Sequence, residues 1–338
     1  MKKSEIKPQH MEIIDKAVKE AFGVSSWVAD ELLGGGLSTS ILYKLSISGG
    51  DYVVRISDPE HPHHNLDREY HAMALAAQHQ IAPWVYHHDP KTGVLIMAFI
   101  ARQPLNPMAF TARQEIKKFA RFIRDLHNCS DFQKDDSIFG KTDTIFDLMP
   151  PSLKACQLVS QGMAMKSTLE QLLYNPNDMR PCHCDINPNN LLFDGHHFWL
   201  VDWASASQEN FYFDLASCAT FFFYHPPDAS REFLRAYFDR PPTATEEGKY
   251  HLMRLFVSIY YGIMFIYLSG LQNTPLLPQE EIDFLPDYAR FMGMIGAGKE
   301  NLADGTTQQK LGFVYLKSAL GERNRERLAD TLISQSRG

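Results

Sequence analysis

Residues 183–203 constrain this chain more than any other stretch. They run His183-Cys184-Asp185-Ile186-Asn187-Pro188-Asn189-Asn190, then Leu191-Leu192-Phe193, Asp194-Gly195, Phe198 to Val201, Asp202 and Trp203. Short apolar runs on either side of Asp-Gly predict a β-hairpin, because Asp-Gly accepts the positive φ angles of a tight two-residue turn. A hairpin returns to its origin, so Asn190 and Asp202 meet at its open end. Asp185 lies five residues before Asn190. A loop Asp, an Asn and a strand-end Asp are thereby directed to one point.

Phosphoryl transfer needs that set. One carboxylate orients an acceptor hydroxyl and takes its proton, while an amide oxygen and a second carboxylate hold Mg²⁺ against the phosphates. Asp185 is therefore the candidate catalytic residue, and Asn190 and Asp202 are the candidate metal ligands. The spacing H-x-D-x-x-x-x-N followed by D-W resembles the aminoglycoside phosphotransferase and choline-ethanolamine-thiamine kinase superfamily. The resemblance implies an α+β, protein-kinase-like fold with two lobes: a small β-rich lobe with one key helix, and a larger, mainly helical one. It implies ATP and Mg²⁺, and a small-molecule alcohol as acceptor.

Bulk properties narrow the alternatives. A chain of 338 residues is long enough for two lobes. Its net charge of −7 argues against nucleic acid, whose binders carry a basic surface. The five cysteines (129, 156, 182, 184, 218) are odd in number and lack a framework spacing, so they read as reduced thiols in a cytoplasmic protein. Cys182-His183-Cys184 has no second pair to complete a zinc site. The start, Met1 to Pro8, lacks an apolar signal core. The most apolar run, Leu255 to Leu268, is shorter than the roughly 18 residues that span a bilayer, and reads as a buried helix. No motif points to a protein partner.

The N-terminal third fits the expected small lobe. Residues 9–22 carry a helical stripe of Ile13, Ile14, Ala17, Val18, Ala21 and Phe22. Gly34-Gly35-Gly36-Leu37-Ser38-Thr39-Ser40 precedes the strand-like Ile41 to Ile47. Glycines between strands let backbone N–H groups approach phosphates. The pattern G-G-x-[ST]-x-[SN] resembles the nucleotide loop of choline-kinase-like proteins, which implies nucleotide contacts at Gly35, Gly36, Ser38 and Thr39. Arg55 is embedded in the strand Tyr52 to Ile56, and Glu69 follows fourteen residues later on a helix. In the kinase fold such a basic residue grips the phosphates and pairs with such a Glu. Met97 to Ile100 forms the last strand of this lobe, so Met97 and Phe99 are implied neighbours of the nucleotide. The implied lobes are residues 1–100 and 107–338, joined by a hinge at 101–106. His61, His63 and His64 read as a solvated loop.

The rest of the chain reads as helical. Ile116, Phe119, Ala120, Phe122, Ile123 and Leu126 form an apolar face that ends at His127, similar to the family's L-x-x-L-H. Residues 131–151 read as a long connection, with helices near 152–162 and 166–174. His183 is implied to brace the catalytic loop. Asn210 to Ala216 resembles the N-x-x-x-D-[LI]-A of choline and thiamine kinases, which implies an anchoring role for Asp214. Aromatics at 221–224 and 260–267 are mostly helix packing. In choline kinases this region supplies an aromatic box for a quaternary ammonium, so Phe221, Tyr224, Tyr261 and Met264 are the candidate acceptor pocket.

Three departures loosen the match to choline kinases. Ala204 follows Asp202-Trp203 where a Glu is frequent. Phe221 replaces another Glu, and the W-x-x-W pair falls on Tyr261 and Met264. A less cationic alcohol, thiamine or an aminoglycoside stays open as acceptor. A nucleotide-binding pseudoenzyme would lack Asp185, Asn190 or Asp202, and all three are present. A protein kinase needs a longer activation segment than this chain has room for, because Asp214 arrives only twelve residues after Asp202. Gly293 to Lys299 matches G-x-x-x-x-G-K, but Glu300 stands where a Walker loop needs Ser or Thr.

Overall fold

The computed structural model describes residues 6–33, 40–61, 65–103, 112–223, 227–322 and 324. Of the positions singled out above, Gly35, Gly36, Ser38, Thr39, His63, His64, Tyr224 and hinge residues 104–106 lie outside the described residues. The chain divides into two compact units: 1–135 with 180–214, and 136–179 with 215–338.

The first unit is built on a five-stranded antiparallel sheet. Helix α1 (Pro8–Phe22) precedes strands β1 (Val28–Leu33), β2 (Ile41–Ile47) and β3 (Gly50–Ile56). Helix α2 (Leu66–Gln78), strands β4 (Val85–Asp89) and β5 (Val94–Ala98), and helix α3 (Arg113–His127) follow. The strand order is β1-β2-β3-β5-β4. Cross-strand partners share a face, so the register sorts the side chains. Tyr43 pairs with Val54 and Val54 with Ile96, and this row joins Leu45, Ile47 and Ile56 in a cluster with Ile14, Ala17 and Val18 of α1. The alternate rows, Leu42-Arg55-Leu95 and Lys44-Val53-Met97, occupy the opposite face. The period of two thus places Arg55 and Met97 together, away from α1. Later in this unit come β6 (Met179–Cys182), β7 (Leu191–Phe193), β8 (Phe198–Leu200) and β9 (Ser207–Asn210), paired as β6-β9 and β7-β8.

The second unit is helical. It holds α4 (Ile138–Leu148), α5 (Pro151–Lys154), α6 (Gln157–Leu173) and, from Leu215 onward, α7 (Tyr212–Phe222). Then come α8 (Pro227–Phe238), α9 (Ala244–Leu271), α10 (Gln279–Asp283), α11 (Tyr288–Gly296) and α12 (Gly305–Ala319). Two expectations are corrected. The connection expected at 131–151 contains α4, because the Ser137 hydroxyl accepts from Gly140 N–H (3.1 Å) and starts a helix. The break expected between helices near 152–162 and 166–174 is absent: after the four-residue α5, α6 runs unbroken from Gln157 to Leu173. Glycine does not break α6 at Gly162, because that position packs against Leu316 and Ile259.

Helix α9 starts at a capping box formed by Thr243 and Glu246. By length and composition it could cross a membrane, but 61% of its most apolar window is buried inside the chain. Its chief partner is α12, and the two backbones approach at Gly262 and Gly312. A methyl group on Gly312 would lie 2.8 Å from the Gly262 carbonyl oxygen. All five cysteines are buried free thiols.

Gly312→Ala is expected to lower the thermal unfolding midpoint, because backbone atoms must move apart to admit the methyl. Gly248→Ala, on the exposed face of α9 with nothing nearby, is expected to raise stability by about 0.5–1 kcal/mol through helix propensity. Calorimetric melting of both variants beside the parent protein checks the opposite signs.

Candidate active site

The hairpin forms where the sequence places it. Leu191 pairs with Leu200 and Phe193 with Phe198, and Val201 N–H donates to the Asn190 carbonyl (3.0 Å). Asn190 and Asp202 therefore sit side by side at the open end. The tip differs from the expected Asp-Gly turn. Gly195 alone takes a positive φ (99°), and Asp194 instead uses its carboxylate to accept N–H groups of His196 (2.8 Å), His197 (2.7 Å) and the Trp199 indole (2.9 Å). Side-chain bonding to nearby backbone replaced the second left-handed residue. The hairpin is docked on the turn after α2, where Leu200 N–H donates to the Ile81 carbonyl (2.8 Å).

The loop before the hairpin is suspended from Asp214. This carboxylate is fully buried in the first turn of α7. It accepts from His183 N–H (2.8 Å), Cys184 N–H (2.9 Å) and His127 Nε2 (3.3 Å). Asn210, at the head of the N-x-x-x-D pattern, accepts from Tyr212 N–H (3.1 Å) and starts the helix. Cys184 adopts φ 61°, a left-handed conformation that turns the chain immediately before Asp185. The His183 ring is buried among fixed partners. Its Nδ1 accepts from Asp185 N–H (3.3 Å) and its Nε2 faces the Val201 carbonyl (3.1 Å), which assigns the neutral Nε2–H tautomer. Burial lowers its pKa in the same sense.

The Asp185 carboxylate is held at both oxygens. Asn187 Nδ2 donates to Oδ1 (3.0 Å) and Asn190 Nδ2 donates to Oδ2 (2.7 Å). Burial pushes the Asp185 pKa up to about 7; the two amides oppose this, and the charges of Asp202 and Asp214 add to it. Asn187 carries no mark in the sequence beyond its place two residues after Asp185, yet it fixes half of that carboxylate. His127 is likewise a working part of the loop's anchorage rather than packing alone.

Asp202 sits at φ 65° and is half-buried, and no hydrogen-bond donor among the described residues is seen on its carboxylate. The Asn190 amide spends its N–H₂ on Asp185, which turns its oxygen the other way. A carboxylate and an amide oxygen, both without donors among the described residues, are the hard ligands Mg²⁺ takes, so these two residues fit the ion. His127, Cys182 and Asp214 also cluster within 4.8 Å. They do not fit one, because Asp214 already accepts three N–H groups and burial raises the Cys182 thiol well above its usual pKa.

Across the same unit, Arg55 forms a buried ion pair with Glu69. Its Nε donates to Ser40 (3.2 Å) and Ser57 (3.1 Å). Burial opposes the Arg55 charge, but Glu69 overcomes that penalty and raises the pKa. Asp202 adds attraction, so Arg55 and Asp202 share one electrostatic field. Met97 lies on the Arg55 face, and the Lys44 ammonium sits 4.4 Å above the Phe99 ring. In the second unit, the half-buried Phe221 meets Tyr261 edge-on at 5.0 Å, and Tyr261 packs on Tyr315 at 5.9 Å. Met264 is half-buried on the same helix as Tyr261.

Residues 31–249 match the profile of the phosphotransferase enzyme family. A comparison with curated protein sequences gives no match. Among solved structures, a choline/ethanolamine kinase family protein from Mesorhizobium loti aligns with TM-score 0.65 at 22% identity, covering 95% of this chain and 98% of that one. A choline kinase of Streptococcus pneumoniae aligns with TM-score 0.62 at 15% identity, covering 91% and 99%, and has also been solved with AMP. A spectinomycin phosphotransferase, solved with ADP and spectinomycin, aligns with TM-score 0.54 at 16% identity, covering 90% and 98%. These likenesses establish the protein-kinase-like fold.

The raised pKa of Asp185 gives a signed pH effect. The folded protein retains a proton up to about 7 that the unfolded chain releases near 3.8. Stability is therefore lost as pH rises through that window. Asn at 185 cannot titrate. In EDTA without nucleotide, the melting temperature of Asp185→Asn relative to the parent is expected to be several degrees more favourable at pH 8 than at pH 5, as read by differential scanning fluorimetry.

Proposed function

This chain belongs to the phosphotransferase enzyme family, and from that premise we propose an ATP-dependent kinase that phosphorylates a small polar or cationic alcohol. One observation supports this reading above the others. In a single compact unit, a half-buried carboxylate fixed by two amides stands beside an Asp and an Asn whose side-chain oxygens meet no donor among the described residues, and the Asp shares a field with a buried Arg–Glu pair.

Each residue has a role in this scheme. Arg55, aligned by Glu69 and two serine hydroxyls, presents its guanidinium to the nucleotide phosphates. Gly35, Gly36, Ser38 and Thr39 are assigned to the phosphates by their sequence pattern alone, and Met97 and Phe99 to the base. Asn190 and Asp202 would hold Mg²⁺, which, when bound, would neutralise charge on the phosphates. Asp185 accepts a hydrogen bond from the acceptor hydroxyl, aims its oxygen at the γ-phosphorus and receives the proton as the new P–O bond forms and the bond from the γ-phosphorus to the bridging β-phosphate oxygen breaks, releasing ADP. Its pKa near 7 suits that task, because a base near the operating pH can both bind and release a proton. Most of the rate comes from positioning and from charge stabilisation of the transferring group. His183 and Asp214 take no proton; they fix the loop.

The acceptor reading rests on Phe221, Tyr261 and Met264, two aromatic rings and a thioether. Rings suit the alkyl or cationic head of choline, ethanolamine or thiamine better than the many amines of an aminoglycoside, which call for carboxylates. The fold shared with a spectinomycin phosphotransferase keeps aminocyclitols as a second class to test.

A coupled ADP-release screen over choline, ethanolamine, thiamine, aminoglycosides and sugars is expected to give turnover with a small alcohol. With that acceptor, Asp185→Asn is expected to reduce kcat by about 10²–10⁴-fold while retaining ATP affinity. Undiminished turnover in the variant would remove Asp185 from the base role. No ADP release with any alcohol would remove the kinase reading.

A further inference from the structure

Arg68 lies beside Glu69 on α2 and is also buried. Nothing in the mechanism above uses it. Its Nη2 donates to the backbone carbonyl of Ala204 (2.8 Å), two residues past Asp202. Its Nη1 forms an ion pair with Asp135, and the Asp135 N–H donates to the Ser207 hydroxyl (3.0 Å). The turn after Asp202 is thus gripped at both ends by one ion pair. Within the turn, Ala206 N–H closes on the Trp203 carbonyl (3.0 Å), and the Trp203 indole is anchored on Leu200 (3.1 Å). This clamp bears on the segment that must keep Asp202 at its left-handed φ of 65°.

A buried guanidinium that ends on a backbone carbonyl loses strong hydration, and removing one partner of such a pair leaves an uncompensated charge. Packing alone would be met by an apolar side chain. The fork of Arg68 is instead divided between an anion and the carbonyl of the metal-side turn, a geometry Lys cannot reproduce with one ammonium. We propose that Arg68 is a positioning residue for the Asp202 ligand, and that α2 couples the two halves of the nucleotide site. Glu69 aligns the phosphate-binding Arg55, while its neighbour Arg68 sets the carboxylate that receives the divalent cation. The proposal rests on the assignment of Asp202 as a metal ligand.

Calorimetric titration of ADP, with and without Mg²⁺, tests this without reference to turnover. In the parent protein Mg²⁺ is expected to increase ADP affinity. In Arg68→Lys, which keeps a cation for Asp135 but loses the second contact, that gain is expected to shrink by about 10-fold or more, with metal-free ADP affinity little changed. Arg68→Gln, lacking both contacts, is expected to lose at least as much. Asp202→Asn runs beside them. If Asp202→Asn loses the gain and a folded Arg68→Lys keeps it, the positioning role is overturned and the metal assignment stands. If both keep it, the metal assignment itself fails and the proposal falls with it.

Discussion

The buried carboxylate of Asp214 is the contact on which the site's geometry depends. A charge in the interior is tolerated only when its oxygens are fully engaged. Asp214 meets that requirement with two consecutive backbone N–H groups and one imidazole. Two adjacent N–H groups can reach one carboxylate only if the chain between them bends, and Cys184 supplies the bend in a left-handed conformation. The next residue is Asp185. The direction of the Asp185 carboxylate is thus inherited from the solvation needs of Asp214. His183 continues the chain of dependence by joining the Asp185 amide to the Val201 carbonyl, and so ties the loop to the far strand of the hairpin.

A second theme is the placement of charge where a packed core would prefer none. Arg55 stands in a row whose register partners are Leu42 and Leu95. The strand alternation that gives α1 an apolar floor leaves the other face to Arg55, Glu69, Lys44 and Met97. Burying this pair contributes little net stability. What it secures is a guanidinium with one orientation, held by a carboxylate and two hydroxyls.

Much of the centre was legible before any coordinates. Asp185, Asn190 and Asp202 converge because an Asp-Gly between two apolar runs forces a fold-back, and Arg55 and Glu69 stand out as charges in a strand and a helix of otherwise clear pattern. Other features were hidden for identifiable reasons. The tip of the hairpin shifted because Asp194 bonds to the backbone rather than adopting positive φ. Helix α4 was obscured by the charged residues before it and the two prolines after it, although Ser137 carried its cap signal. The partnership of Arg68 with Asp135 and Ala204 spans long gaps in sequence, with no periodicity to announce it. Gly262 and Gly312 look like helix breakers in a string of letters and act as close-approach points once two helices cross.

The left-handed backbone at Asp202 has an evolutionary corollary. Most L-residues are strained in that region, whereas Asn and Gly enter it at little expense. A descendant that ceased to need the Asp202 carboxylate would therefore not sample substitutions at this site evenly. Asn or Gly would preserve the turn and the packing of Trp203, while a β-branched replacement would disturb both. Drift toward a non-catalytic scaffold would leave a recognisable trace at position 202, and a lineage with Val or Ile there would have had to rebuild the turn first.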